Sequence, residues 1–504
     1  MSSFKDKVNK YKSVFIVIGV LFILSIVIGV VFAMSKIHNT SSDGDYTTEV
    51  TMDTTFEPVT ETTQDSSEQE YTSNEELTES GTTQPATKEP QTTQPVTKEP
   101  QTTQPVTKEP QTTQPVTKEP QTTQPVTKEP QTTQPVTKEP QTTQPPTEAP
   151  TVKPEPTLDE QVEANLNNMT LEEKICQMFV IAPENLMGGW QIKEAGADMK
   201  AKLSKYPVAG FIFFASNLDN PTQTRTMLSN LQKYSEEIEG MPFFTCIDEE
   251  GGRVARIGKN PNFGVKRVLA MNTITTPNAA YEAGYTIGDY LNELGFNFDF
   301  APDADVITNP KNTVIGDRSF GTDANIVSEY AVQYAKGLSA NNVLSTFKHF
   351  PGHGGTEGDT HEGFAYTSKT YNELLQDELK PFIAAKKNNV DAVMVAHISV
   401  PSILGDNTPC SLSYYMITEC LRNDIGYQGL IVTDSMAMGA ITNEYTNKEA
   451  TVLAVLAGND IILMPADFYE AYEGVLEAVK SGRISEQRIN ESVRRIIKVK
   501  LQLE

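Results

Sequence analysis

The chain has 504 residues and a formal net charge of −25, which argues against a nucleic-acid partner, because phosphates call for a basic face. Its four cysteines (Cys176, Cys246, Cys410, Cys420) show no CxxC spacing and read as small buried hydrophobes; a Cys410–Cys420 bridge is open, but nothing in the sequence requires it. Composition is uneven along the chain, so length alone does not set the number of domains.

Residues 1–13 carry Lys5, Lys7, Lys10 and Lys12 against a single Asp6. The next 21 residues, Val14 to Met34, hold no charge and are dominated by Val, Ile, Leu and Phe. That is enough to cross the roughly 30 Å hydrocarbon core as one helix, and more than the ~7–15 apolar residues of a cleavable leader. The lysine bias places the N-terminus in the cytoplasm and the rest outside, a single-pass membrane protein. Residues 35–157 are rich in Thr, Pro, Gln and Glu, and 91–140 are five identical copies of Gln-Thr-Thr-Gln-Pro-Val-Thr-Lys-Glu-Pro. Two prolines and one valine per repeat support neither a sheet ladder nor a core, so the segment reads as a disordered extracellular stalk leaning to polyproline II.

Globular patterning runs over 158–504. Helical periodicity at Asp159–Asn168 and Thr170–Met178 leads into eight short apolar runs expected to be strands. These are Met178–Ala182, Val208–Phe214, Phe243–Asp248, Asn297–Ala301, Val343–Phe347, Ala392–His397, Leu430–Thr433 and Asp460–Met464. Helix-length patterns separate most of them: Pro221–Glu237, Ala279–Leu294, Asn325–Ser339, Asn372–Lys387 and Lys448–Leu456. The expected fold class is α/β, a single (β/α)8 barrel of the TIM type, with a doubly wound open sheet as the rival. A barrel would place function at strand C-terminal ends, and polar residues gather there: Asp248 after the third run, Asp299 and Asp303 at the fourth, Lys348 and His349 at the fifth, His397 at the sixth, Asp434 after the seventh.

Asp434 could cap the following helix or serve as a carboxylate nucleophile. Asp359 and His361 could satisfy turn hydrogen bonds, or pair so that the carboxylate orients the imidazole for acid and base chemistry. His349, His353, Asp359 and His361 are also conceivable zinc ligands, but no compact helical spacing such as HExxH is present, and no metal is expected. Lys348, Arg256 and Arg318 adjoin strand ends or a Gly-rich turn, which favours substrate contacts over surface charges. Cys246 and Met464 read as core.

Taken together, several long motifs resemble the β-N-acetylhexosaminidases of glycoside hydrolase family 3. They are Met169-Thr-Leu-Glu-Glu-Lys-Ile-Cys-Gln-Met178, Asp248-Glu-Glu-Gly-Gly-Arg-Val254, Lys348-His-Phe-Pro-Gly-His-Gly354 running on to Asp359-Thr-His361, and Thr433-Asp434-Ser435-Met436. The resemblance implies retaining removal of terminal β-linked N-acetylglucosamine, with Asp434 as nucleophile and His361, paired with Asp359, as acid/base. It also implies sugar contacts from Asp248, Arg256, Arg318, Lys348 and His349, no cofactor and a carbohydrate substrate; a monomeric catalytic domain is expected. His353 is expected to be structural. Glu249 stands where the family more usually has Gln, Gly355 where it often has Asp, and Thr360 where Ser is common. A β-glucosidase, xylosidase or glycoside phosphorylase, and a non-catalytic wall-glycan-binding surface protein, are the alternatives.

Overall fold

The computed structural model of the protein describes residues 156–503. The expected membrane helix at 14–34 and the stalk up to residue 155 lie outside the described residues. Among the described residues no helix is long and apolar enough to cross a membrane.

Two threonine-capped helices open the domain, α1 (Leu158–Asn168) and α2 (Leu171–Gln177). In each a Thr-x-x-Glu box closes reciprocally, Thr157 with Glu160 and Thr170 with Glu173, which satisfies donors that the first turn would leave bare. Strands and helices then alternate. The strands are β1 (Phe179–Ile181), β2 (Gly210–Phe213), β3 (Phe244–Ile247), β4 (Phe298–Asp299), β5 (Thr346–Phe350), β6 (Ala392–Val395), β7 (Leu430–Thr433) and β8 (Ile462–Leu463). Between them run α3 (Ala197–Lys205), α4 (Pro221–Glu239), α5 (Pro277–Leu294), α6 (Ala324–Ser339), α7 (Lys380–Lys387), α8 (Tyr415–Asp424, wound as a π-helix) and α9 (Asn447–Ala457); α10 (Phe468–Lys480) and α11 (Glu486–Leu501) follow β8.

All strand pairings are parallel, in two sheets of order β4-β3-β2-β1-β8 and β5-β6-β7. Single parallel bridges, Phe298 to Leu344 and Val432 to Ile461, link the two sheets at both edges. The expected α/β class is therefore present as a domain of parallel half-barrels.

Strands buried on both faces divide their residues between two apolar layers. Phe244 and Cys246 of β3, Met394 of β6 and Val432 of β7 enter one cluster with Val180, Ile212, Phe298 and Ile496. Their alternating neighbours Ile247, Val393, Val395 and Ile431 join the larger cluster beneath the helices. At about 1.5–3 kcal/mol per fully buried large apolar side chain, these layers dominate the favourable side of folding. Helix α11 contributes Ile496 to the first cluster, and its buried Lys500 donates to Gln177 at 2.8 Å and pairs with Glu239 at 3.3 Å. Gln177 and Glu239 precede β1 and β3, so this network closes the strand N-terminal end and leaves the opposite end for the loops. All four cysteines are buried and free, so Cys410 and Cys420 form no bridge.

Two expected elements differ. The fifth strand lies three residues further on than its apolar run, at Thr346–Phe350, because Lys348 and His349 find ionic partners inside the fold and stay in the strand. Its register on β6 shifts between Phe347 and Phe350, and the Lys348–His349 peptide is cis. The expected helix Asn372–Lys387 is broken into Tyr371–Leu374 and α7, with Pro381 in the first turn of the second piece. Proline disfavours helical geometry in the residue before it and suits a helix start.

Candidate active site

The strand C-terminal ends surround a pocket of about 760 Å³. Its lining includes the eight residues expected to have catalytic or sugar-binding roles: Asp248, Arg256, Arg318, Lys348, His349, Asp359, His361 and Asp434. Phe214, Met438 and Met464 supply apolar wall; Met464 is thus at the pocket rather than in the core as expected. Asp299 and His397 are turned elsewhere. Asp299 accepts the Glu249 N–H at 2.9 Å, while His397 lies 2.7 Å from the Ser411 hydroxyl and 2.9 Å from the Ser435 carbonyl.

One wall is an ionic lattice organised by Glu250, which sequence reasoning left out of the site. Glu250 is 2 % exposed. Arg318 donates to it through Nε and Nη2, at 2.8 and 2.7 Å, and Lys348 Nζ lies 2.7 Å from the same carboxylate. Lys348 also donates to Asp248 at 2.9 Å, and Arg256 lies 3.7 Å from Asp248 with its guanidinium over the Phe214 ring. Burial would raise the Glu250 pKa, but Arg318 and Lys348 outweigh it and hold the carboxyl far below the usual range. The local signal was available: Asp248-Glu249-Glu250 puts three acids in a row after an apolar strand.

Glu249 points the other way, into the protein. Its carboxylate accepts the backbone N–H groups of Arg256 (2.5 Å), Ile257 (2.9 Å) and Gly258 (2.8 Å) and the Tyr290 hydroxyl (2.8 Å). Burial pushes its pKa up, and the N–H donors limit the rise. Four donors converging on one carboxylate explain an acid here: a glutamine amide would set its own N–H groups against two of them. The residue anchors the loop that carries Arg256.

His349 Nδ1 lies 2.7 Å from Asp305, whose other oxygen accepts the His353 N–H. Burial would lower the His349 pKa, but the Asp305 carboxylate outweighs it. Asp303, Asp305 and His349 form the trio among the described residues whose ligand atoms converge within 4.8 Å. Arg318 lies 3.5 Å from Asp303 and 3.3 Å from His349, so a fixed guanidinium already supplies the positive charge there. The four residues weighed as zinc ligands, His349, His353, Asp359 and His361, form no common donor set among the described residues.

Asp434 follows β7, its own side chain accepting the Ser435 N–H at 2.8 Å. Burial would raise its pKa; His349 leads the groups that outweigh this and keep it below the ordinary value. Asp359 and His361 sit on the loop after β5, 2.8 Å apart through His361 Nδ1, which leaves Nε2 free. Burial is the largest single influence on Asp359 and would raise its pKa, but the His361 N–H and imidazole together outweigh it and hold the pKa below the ordinary value. The loop is fastened to the segment that follows Asp434: Gly439 N–H donates to the His361 carbonyl at 3.3 Å and Ala440 N–H to that of Thr360 at 3.1 Å. A side chain at Gly439 would place its Cβ 2.8 Å from the His361 carbonyl oxygen. His353 is buried beneath, within 2.8 Å of Thr356 Oγ1 and 3.3 Å of Thr360 Oγ1, so it braces the loop and does not line the pocket. Thr360 keeps the hydroxyl that Ser would give. At Gly355 an added Cβ would lie 2.6 Å from Thr308 Oγ1 and 2.8 Å from Glu378 Oε1, so the Glu378 carboxylate occupies the space a side chain there would need.

Residues 170–499 match the family described as glycosyl hydrolase family 3 N terminal domain. The chain belongs to glycosyl hydrolase family 3. Among its family 3 relatives, β-hexosaminidase A of Pseudoalteromonas piscicida is 33 % identical over 333 residues, 61 % of this chain and 55 % of that protein. The chain thus spans about half the length of that relative. β-Hexosaminidase LpqI of Mycobacterium tuberculosis is 31 % identical over 341 residues, 65 % of this chain and 82 % of its own. A solved family 3 β-N-acetylglucosaminidase from Paenibacillus is 36 % identical with a TM-score of 0.62, over 66 % of this chain and 63 % of that one.

Proposed function

We propose that the protein is a retaining, exo-acting β-N-acetylglucosaminidase that removes terminal β-linked N-acetylglucosamine from peptidoglycan fragments or chito-oligosaccharides. The observation that carries this reading is that Asp434 and the Asp359–His361 pair line one pocket with the Glu250-centred lattice. The relatives named β-hexosaminidase support the choice of sugar.

In this reading Asp248, Lys348, Arg318, Arg256 and His349 hold the hydroxyls of the terminal sugar, their orientations set before it arrives. An Asp434 oxygen attacks the anomeric carbon while protonated His361 gives its Nε2 proton to the glycosidic oxygen, and the aglycone departs as an alcohol. Asp359 orients the imidazole and stabilises its charge. His361, now neutral, takes a proton from water, which attacks the anomeric carbon, releases Asp434 and restores the configuration. We also read the two linked sheets as one closed (β/α)8 barrel, residues 14–34 as a membrane span and 35–157 as an extracellular stalk, with the catalytic domain outside the cell as a monomer.

Hydrolysis of 4-nitrophenyl β-glycosides, with and without phosphate, tests the reaction. N-acetylglucosaminide cleavage that needs no phosphate is expected; cleavage of glucosides or xylosides alone contradicts it. Membrane fractionation and external protease treatment of cells test the placement, and catalytic domain protected inside the cell contradicts it.

A further inference from the structure

We propose that Glu378 is a positioning residue for the acid/base pair: its buried carboxylate clasps both stems of the loop that carries Asp359 and His361, and so fixes where His361 meets the glycosidic oxygen. The proposal rests on the role given above to His361. Glu378 lies in the turn between Tyr371–Leu374 and α7, outside the pocket lining, and is 1 % exposed. The chain from Pro351 to Thr370 joins β5 to that short helix, and the Asp359–His361 pair sits in its middle. Where this connection leaves β5, Gly352 and Gly355 bound a tight turn, and Glu378 packs against both ends of it. A Cβ added at Gly352 would lie 2.5 Å from Glu378 Cβ, and one at Gly355 would lie 2.8 Å from Glu378 Oε1. At the far end of the same connection, Lys369 Nζ pairs with Oε1. Thr308, on the loop after β4, donates its hydroxyl to Oε1 at 2.5 Å, and Lys369 reaches that hydroxyl at 3.1 Å.

Entry, exit and neighbouring loop thus meet at one oxygen. Both side-chain partners of the carboxylate belong to loops at the strand C-terminal end, and neither to a strand or a long helix. A carboxylate taken out of water is costly unless it is paired. Glu378 Oε2 has no hydrogen-bond partner among the described residues, so Lys369 offsets the charge and Thr308 adds a neutral donor. What this buried anion secures is therefore loop geometry. His361 itself is exposed, so burial does not hold it; its place is set by backbone fixed elsewhere, at the tip by Gly439 and Ala440 and at the stems by Glu378. Neutral bonds also hold the entry turn: Asn309 Nδ2 donates to the Thr356 carbonyl at 2.9 Å and Asn312 Nδ2 to the His353 carbonyl at 2.8 Å. They persist when Glu378 loses its charge, so the pair is displaced and not removed. A displacement of about 1 Å costs on the order of 10²-fold where alignment matters, and only a leaving group that needs the proton feels it.

The test is Glu378→Gln, which keeps the volume and an acceptor for Thr308 but removes the charge. It is assayed on chitobiose, whose leaving group needs a proton, and on 2,4-dinitrophenyl N-acetylglucosaminide, whose leaving group does not. The expected result is a fall of about tenfold or more in kcat/KM for chitobiose, with the aryl substrate within about twofold. No change on chitobiose, or an equal fall on both as loss of folded protein would give, overturns the proposal. Lys369→Met breaks the clasp from its other partner, a side chain 30 % exposed, and serves if Glu378→Gln does not fold. The same selective fall is expected there, about threefold or more, and its absence overturns the proposal. In a His361→Ala background, Glu378→Gln should lower kcat/KM for chitobiose by no more than about a further twofold, because it acts through His361; a full additional loss overturns that route. A His361→Ala variant that falls equally on both substrates would overturn the acid role itself, whereas a selective His361→Ala beside an unselective Glu378→Gln overturns the clasp alone.

Discussion

Arg318 grips Glu250 through two parallel hydrogen bonds, Nε to Oε2 at 2.8 Å and Nη2 to Oε1 at 2.7 Å, and Lys348 shares that carboxylate. The residues come from the loops after β3 and β4 and from β5, so one buried anion fixes two cations that line the pocket. Glu250→Gln should leave both cations under-compensated, at a cost of about 3 kcal/mol. Urea unfolding reads the stability, and a rise in KM larger than any fall in kcat is expected from loosened sugar contacts.

The proposed acid/base pair should behave in the opposite way. His361 and Asp359 side chains are 67 % and 36 % exposed, so His361→Ala and Asp359→Asn should change stability by no more than about 0.5 kcal/mol. Turnover of chitobiose should fall roughly 10²–10⁴-fold. The loss should be smaller for an aryl substrate whose leaving group needs little protonation, and stopped-flow measurement of the first turnover checks this.

Glu249→Gln would place an amide among four donors that now converge on a carboxylate. A loss of about 1–3 kcal/mol follows from each donor left unpaired. Because Arg256 rides on that loop, KM for the terminal sugar should rise as well. Thermal unfolding and steady-state kinetics of the one variant measure both effects.

Asp303 is buried, with Asp305, Arg318, His349 and Glu250 about it; burial first, and then the Asp305 charge, push its pKa up to about 7 from 3.8. One of its carboxyl oxygens has no hydrogen-bond partner, as a neutral acid tolerates better than an anion. A group raised on folding binds its proton more tightly in the native state, so its contribution is fully present below about pH 4 and is lost as pH rises to about 7. Asp303→Asn should therefore gain stability relative to the unaltered protein across that window, with no further relative change above it. Urea unfolding at a series of pH values measures the difference.

The sequence made the fold legible where strands were continuous apolar runs. β7 lies at Leu430–Thr433 as expected, its apolar run bounded by Gly429 on one side and by Asp434 on the other. β5 was displaced because an apolar run stops at Phe347, whereas Lys348 and His349 are compensated by Asp248, Glu250 and Asp305 from two other loops. That compensation is a property of the assembled structure and leaves no local trace. The gathering of the eight residues expected to have catalytic or sugar-binding roles around one pocket follows from the rule that such folds work at strand C-terminal ends. Three acids in a row after β3 marked Asp248-Glu249-Glu250 as unusual, but not which of them faces the pocket: the partners that make Glu250 the centre, Arg318 and Lys348, lie 68 and 98 positions away. The departure at Gly355 acquired a physical reason only when Glu378 was seen to fill its space.

The central claim is that Asp434 forms the covalent bond to the sugar. A slow fluorinated N-acetylglucosaminide, followed by proteolysis and peptide mass spectrometry, tests it most directly. The account predicts a stable glycosyl adduct on the peptide bearing Asp434, absent from the Asp434→Asn variant. An adduct on any other carboxylate, or turnover without an adduct in a protein whose Asp434→Ala variant is fully active, would contradict it.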